Sequence, residues 1–311
     1  MKLAMKDETL GMWLGVVGVA MFAVTLPMTR LATGTQDAPQ LSPWFVTLGR
    51  AALAGVLSAI FLLTTRSPRP AAHQWKPLAF AVLGNAIGFP LLLAYALRVV
   101  SASHAAVITA LLPLVTAACA AWVLHQRARL GFWLCAIAGS ALVVAFSLLR
   151  AGSHGGGFGF EWADVLLVGA VLAASLGYIY GAQVTPALGA ERVICWVCVM
   201  ALPVTLPGTL LLWPEQPVAA SAWVGFVYVG VFSMWMGFFA WYRGLAMGGA
   251  LRVSQTQLLQ PFLSILAAVP LLGEPLDVVT LGFAAAVVAT VVAGKKLSQP
   301  RAPLVAAAAS R

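Results

Sequence analysis

The chain has 311 residues, of which 61% are hydrophobic and 9% charged, with a net charge of +9 and a mean hydropathy of +0.95. A soluble globule carries roughly 25% charged residues, so the composition excludes one and makes lipid the solvent. The positive residues are scattered over the connections instead of forming one stripe with interleaved aromatics, which excludes a nucleic-acid surface; the period-two polarity of a membrane β-barrel is also missing.

Apolar runs of about 20 residues, the length that crosses a hydrocarbon core as a helix, lie near residues 10–29, 43–65, 77–97, 102–124, 130–149, 163–184, 192–213, 220–241, 253–272 and 278–294. The expected fold is an all-α membrane protein of about ten transmembrane helices. Residues 1–9 read as a cytoplasmic amino-terminal tail. The run that follows is long, lacks a small-residue cleavage pattern and precedes nine more, so it reads as a first span and not as a secretory signal.

Thr25 and Pro27 interrupt the first span within Phe22-Ala23-Val24-Thr25-Leu26-Pro27-Met28-Thr29-Arg30. Arg50 stands roughly 10 Å into the second span, counting helical rise from Pro43. Two roles are open to it: binding a substrate carboxylate, or a structural one at the outer interface or a helix terminus. The third span carries Asn85 within Gly84-Asn85-Ala86-Ile87-Gly88-Phe89-Pro90, and a mid-span asparagine calls for a partner or a ligand.

In the fourth span Thr109, Pro113 and Thr116 share one helical face, with His104, a weaker ligand candidate, near its start. Residues 150–162 join the fifth and sixth spans through Ser153-His154-Gly155-Gly156-Gly157-Phe158-Gly159. A phosphate cradle needs a strand before such glycines, so this stretch reads as a flexible linker. Gly177, Tyr178 and Tyr180 interrupt the sixth span. Cys195 and Cys198 in the seventh have CxxC spacing but no further metal ligands, and with Cys119 and Cys135 they read as buried thiols. The eighth span offers Ser233 and Trp235; Tyr178 and Trp235 could stack on an apolar part of a substrate. The ninth places Gln257, Pro261 and Ser264 on one face with Gln260 beside it. Residues 297–311 read as a cytoplasmic tail.

The second half repeats the punctuation of the first. At a constant offset of 148, Ala96-Leu97 falls on Gly244-Leu245, Thr109 on Gln257, Pro113 on Pro261, Thr116 on Ser264 and Asn85 on Ser233. The two units span 10–149 and 163–296. A five-helix unit followed by another enters the membrane from the opposite side, so the repeats are inverted. Each mid-span proline frees the carbonyl about four residues earlier, and such groups are tolerated in lipid only where protein or a wet cavity receives them. The expectation is one central cavity lined by Thr25, Asn85, Thr109, Pro113, Tyr178, Trp235, Gln257, Gln260, Pro261 and Ser264, the arrangement by which secondary transporters build a substrate site at a repeat interface. Interhelical hydrogen bonding is the alternative use of these polar groups.

Orientation follows from charge. With the amino terminus inside, 14 of the 18 Lys and Arg residues face the cytoplasm and three, Arg30, Arg98 and Arg150, face out, with Arg50 within a span. Positive residues favour the cytoplasmic side, so both termini are expected there. His125-Gln126-Arg127-Ala128-Arg129 is basic where its repeat partner, Gly273-Glu274-Pro275-Leu276-Asp277, is not. All nine carboxylates fall outside or at the edges of the spans, which disfavours proton relay through a buried acid. No HExxH motif and no spaced Ser/His/Asp set suggests hydrolysis, and no cofactor or metal is expected.

These residues resemble the drug/metabolite transporter superfamily, in particular its EamA family, over residues 10–296. The likeness rests on the two five-helix units, Phe22 to Arg30 followed by Gly49-Arg50-Ala51-Ala52-Leu53-Ala54, Ala96 through Pro113, and its copy Gly244 through Pro261-Phe262 with Gly273-Glu274-Pro275. The family's glutamate after the proline helix stands here as Glu274, whereas the first copy has His125-Gln126. The resemblance implies an inner-membrane carrier, commonly an exporter of amino acids or other small metabolites, acting as monomer or homodimer by alternating access. Phosphorylated cargo would want several central cations; Arg50 stands alone, so neutral or zwitterionic cargo is expected.

Overall fold

A computed structural model of the chain describes residues 2–123, 130–153, 162–248 and 254–298. The glycine-rich linker at 154–161, the basic connection at 125–129 and the tail from 299 lie outside the described residues.

Among the described residues ten helical segments follow one another. Helix α1 runs Lys2–Ala23 and resumes as Thr25–Thr33; α2 is Pro43–Thr64; α3 joins Trp75–Ala81, a π-helical turn Val82–Gly88 and Phe89–Ala96. Helix α4 is split into Ala102–Thr109 and Leu112–Val123; α5 is Leu130–Ser153; α6 is Trp162–Leu188; α7 is Ala190–Leu211. Helix α8 joins Ala220–Tyr228, a second π-helical turn Val229–Met236 and Gly237–Gly248; α9 opens as a 3₁₀ turn Ser254–Leu259 and continues as Gln260–Leu272; α10 is Val278–Ser298. Among the described residues the only strand pairing is a single bridge between Gly34 and Pro39.

Six of these helices are long and apolar enough to cross a membrane, and four shorter apolar ones accompany them. Residues 2–9 are helical and lead into α1, whose candidate span begins at Thr9; Lys2 to Leu10 contains no glycine or proline and several good helix formers. Helix α5 runs to Ser153, past the expected start of the linker at 150.

Local chemistry sets the breaks. Ser42 accepts the Phe45 N–H at 3.1 Å and Ser101 accepts that of His104 at 3.0 Å, so α2 and α4 start on serine caps. In α4 the helix breaks at Ala110-Leu111, just ahead of Pro113, whose ring clashes with the carbonyl four residues back. The chain crosses the break on tightened turns, Leu111 N–H to Ile108 O at 3.1 Å and Leu114 N–H to Leu111 O at 3.0 Å. Pro261 instead sits in the first turn of the α-helical part of α9, where its missing N–H leaves no bond unmade.

The two π-helical turns obey the same internal repeat. One ends on a bond from Phe89 N–H to Gly84 O, the other on a bond from Gly237 N–H to Phe232 O, and both partners are related by the offset of 148. Asn85 and Ser233 each follow the accepting residue directly. The duplication therefore reaches an irregular feature of the backbone that apolar patterning does not encode.

Packing shows the internal two-fold. Helix α2 lies on α7, α4 on α9 and α5 on α10, while α1 packs on α8 as α6 packs on α3. The repeat-related helices run antiparallel: Gly49 faces Thr209 where Gly55 faces Cys198 and Leu202, and the start of α4 at Ala102 meets Glu274 just past the end of α9. The halves are inverted repeats. Glycines allow the closest approaches, with Gly84 against Gly177 where α3 crosses α6 and Gly244 against Gly15 where α8 crosses α1. Small residues matter here because helices in lipid associate through close packing instead of a hydrophobic drive.

Candidate functional site

The breaks in the helices converge on one central cavity, lined by Phe22, Thr25, Leu26, Arg50, Asn85, Phe89, Thr109, Leu112, Val171, Tyr178, Ser233, Met234, Phe238 and Gln260. The lining comes from α1, α2, α3 and α4 of the first half and α6, α8 and α9 of the second.

One polar knot joins three helices in its wall. Thr25 Oγ1 donates to Ser233 Oγ at 2.8 Å and Arg50 Nη2 donates to the same oxygen at 2.9 Å. The π-helical turn of α8 places Ser233 between them. Arg50 is buried, yet among the described residues its Nε and Nη1 find no acceptor and Asn85 Oδ1 finds no donor. Thr109 turns its hydroxyl back onto Ala105 O at 2.8 Å. Part of the wall is aromatic: Phe238 stands edge-on to Phe22 at 5.0 Å and to Tyr178 at 6.3 Å between ring centres.

A smaller cavity adjoins the first, lined by Thr109, Ala110, Leu112, Gln257, Leu258, Gln260, Pro261 and Val288. It shares Thr109, Leu112 and Gln260 with the larger one, so the breaks of α4 and α9 form the partition between the two spaces.

The structure thus brings Thr25, Asn85, Thr109, Tyr178 and Gln260 to the main cavity together with Arg50, and Gln257 and Pro261 to its neighbour. Two expected residues are placed elsewhere. Ser264 is buried and donates its hydroxyl to Ala23 O at 2.7 Å, so it joins α9 to α1 instead of facing the cavity. Trp235 packs on Phe239 with ring centres 4.8 Å apart and belongs to neither lining. Pro113 lies in α4, but its side chain is outside the described residues. Ser233 and the apolar wall of Phe22, Leu26, Phe89, Leu112, Val171, Met234 and Phe238 were not singled out as cavity residues from sequence. The offset that pairs Ser233 with Asn85 was the available signal for the serine.

Two polar clusters hold the end of the bundle where α4 begins. Glu274 accepts from Ala102 N–H at 2.7 Å, Ser103 N–H at 2.9 Å and Ser103 Oγ at 2.7 Å, a carboxylate at a helix amino terminus where the dipole favours it. Arg30 lies 3.9 Å from Glu274 and donates to Leu97 O at 2.8 Å and to Val100 O. Nearby, His104 Nε2 pairs with Asp164 Oδ1 at 2.7 Å, and Asp164 is 1% exposed. Asp164 does stand in the first turn of α6, at a span edge, but neighbouring helices enclose it. Among the described residues no three His, Cys, Asp or Glu side chains come together as a metal site.

The model of the EamA-like transporter family matches the chain twice, over residues 9–148 and 161–293. The uncharacterized transporter YdeK of Bacillus subtilis (strain 168) is 38% identical over 296 residues, covering 94% of this chain and all of that protein. A solved crystal structure superposes with a TM-score of 0.60 at 20% identity, covering 93% of this chain and 97% of the other, and shares the fold. Both halves answer to one family model and a relative matches nearly end to end, so the chain belongs to the EamA-like transporter family and is a multi-pass membrane transporter.

Proposed function

We propose that the protein is a secondary transporter that exports a small neutral or zwitterionic metabolite, such as an amino acid, by alternating access of its two halves around the central cavity. The observation that carries this reading is the cavity itself: both halves line it, at the places where their helices break. Intersecting broken helices at an inverted-repeat interface are a recurrent way to expose polar groups to cargo and to let two bundles rock about a fixed site. The orientation that goes with it has both termini in the cytoplasm and the Glu274 end of the bundle outside, as the distribution of Lys and Arg favours.

Counterflow in proteoliposomes tests the reading. Vesicles preloaded with an unlabelled amino acid should accumulate the radiolabelled form transiently, with saturation. Asn85→Ala and Ser233→Ala should lower that flux at normal expression and folding. Unsaturable flux would indicate a channel, and unaltered flux in both variants would remove the cavity from the transport path.

A further inference from the structure

The wall of the cavity contains one formal charge and nothing that balances it. Arg50 is 3% exposed and one of its three nitrogens is occupied, Nη2 on Ser233 Oγ at 2.9 Å; among the described residues Nε and Nη1 have no acceptor. The other titratable side chain in the lining is the phenol of Tyr178. Asp164, Glu191, Glu274 and Asp277 are absent from the lining. A guanidinium withdrawn from water with two idle nitrogens is costly unless an anion meets it. If the arginine served only to hold α2 against α8, a single bond to a serine would use little of a planar five-donor group.

We infer that Arg50 is the anchor for a carboxylate on the cargo, so the transported class is monocarboxylates with a largely apolar body, amino acids among them. This rests on the proposed carrier function and narrows it. A carboxylate supplies two acceptors in the geometry of the guanidinium fork and places a negative charge directly against the guanidinium. A phosphate dianion would overshoot the single positive charge, and an uncharged or purely cationic compound would leave it unmet. The rest of the cargo faces Phe22, Phe89, Met234 and Phe238, a wall suited to an aromatic or branched aliphatic group. When the carboxylate engages the fork it competes with Ser233, which also holds Thr25, so binding is felt directly by α1 and α8.

Thermal unfolding of the full-length protein in detergent, with four probes of matched size, decides the matter, since a ligand of the folded state raises the melting temperature by mass action. Phenylalanine and 3-phenylpropionate should stabilise the wild type; phenylalaninamide and phenethylamine should not. Arg50→Gln should weaken both carboxylates at least tenfold, and Arg50→Lys should retain part of the effect. Equal stabilisation by the amide and the acid, or no stabilisation by either carboxylate, overturns the anchor. If Arg50→Gln does not fold, the acid-against-amide comparison on the wild type still decides. A protein that shows saturable counterflow of a compound without a carboxylate would keep the carrier reading and lose this one.

Discussion

Ser264 gives its hydroxyl to the carbonyl of Ala23 at 2.7 Å, the carbonyl that Pro27, four residues on, leaves without its helical donor. The break in α1 is thereby sealed from the other half of the molecule. This accounts for Ser264 lying on the polar face of α9 and yet outside the cavity. It also shows how a proline is accommodated in lipid: the freed carbonyl finds a hydroxyl on a neighbouring helix.

Ser264→Ala leaves that carbonyl buried and unsatisfied, at a cost of about 1–3 kcal/mol. The melting temperature in detergent should fall while the KM for transport stays within twofold. A raised KM at unchanged stability would put Ser264 in contact with cargo.

Gly177→Ala tests the crossing of α6 over α3. A Cβ there would stand 3.0 Å from Asn85 N and press on its side-chain amide, whereas one at Gly282 would meet nothing within 4 Å. Flux should be largely lost in Gly177→Ala and retained in Gly282→Ala, with both proteins reaching the membrane in equal amounts. Equal flux in the two would show that Asn85 tolerates displacement.

Glu274→Ala removes three hydrogen bonds from the first turn of α4 and the partner of Arg30. Amide hydrogen exchange over 102–109 should quicken by tenfold or more, with little change over α2 and α7. Unchanged exchange would mean that the Ser101 cap alone holds this helix end.

Asp164→Ala strands His104 within the bundle. Leaving the buried imidazole without its hydrogen-bond partner costs about 1–3 kcal/mol, so the variant should melt lower, and His104→Phe with Asp164→Leu should recover much of the loss. A double variant no better than the single one would show that the pair contributes more than the satisfaction of two buried polar groups.

The spans and the duplication were legible in the sequence because apolar runs and prolines are punctuation that a single chain displays. Thr25, Asn85, Thr109, Tyr178 and Gln260 stood out as polar or hydroxylic groups in apolar surroundings. The wall residues Phe22, Phe89, Met234 and Phe238 did not, since an apolar side chain reads the same whether it faces lipid, a neighbouring helix or a cavity. Ser264 and Trp235 illustrate the other limit: position on a helix face is visible, while the helix that the face meets is not. The π-helical turns have no residue signature of their own, and only the hydrogen bonds at Phe89 and Gly237 reveal them. Asp164 was placed correctly along the chain, but enclosure by neighbouring helices is a tertiary fact.

The central claim, that one cavity is exposed in turn to the two sides of the membrane, is tested most directly by labelling a single cysteine at position 109. Thr109 lies on the partition between the two cavities, and the native cysteines Cys119, Cys135, Cys195 and Cys198 would be replaced by alanine. In oriented vesicles, a membrane-impermeant thiol reagent should reach Thr109→Cys from either side, and cargo should slow labelling from both. Labelling from neither side, or from one side only regardless of cargo, would contradict the account.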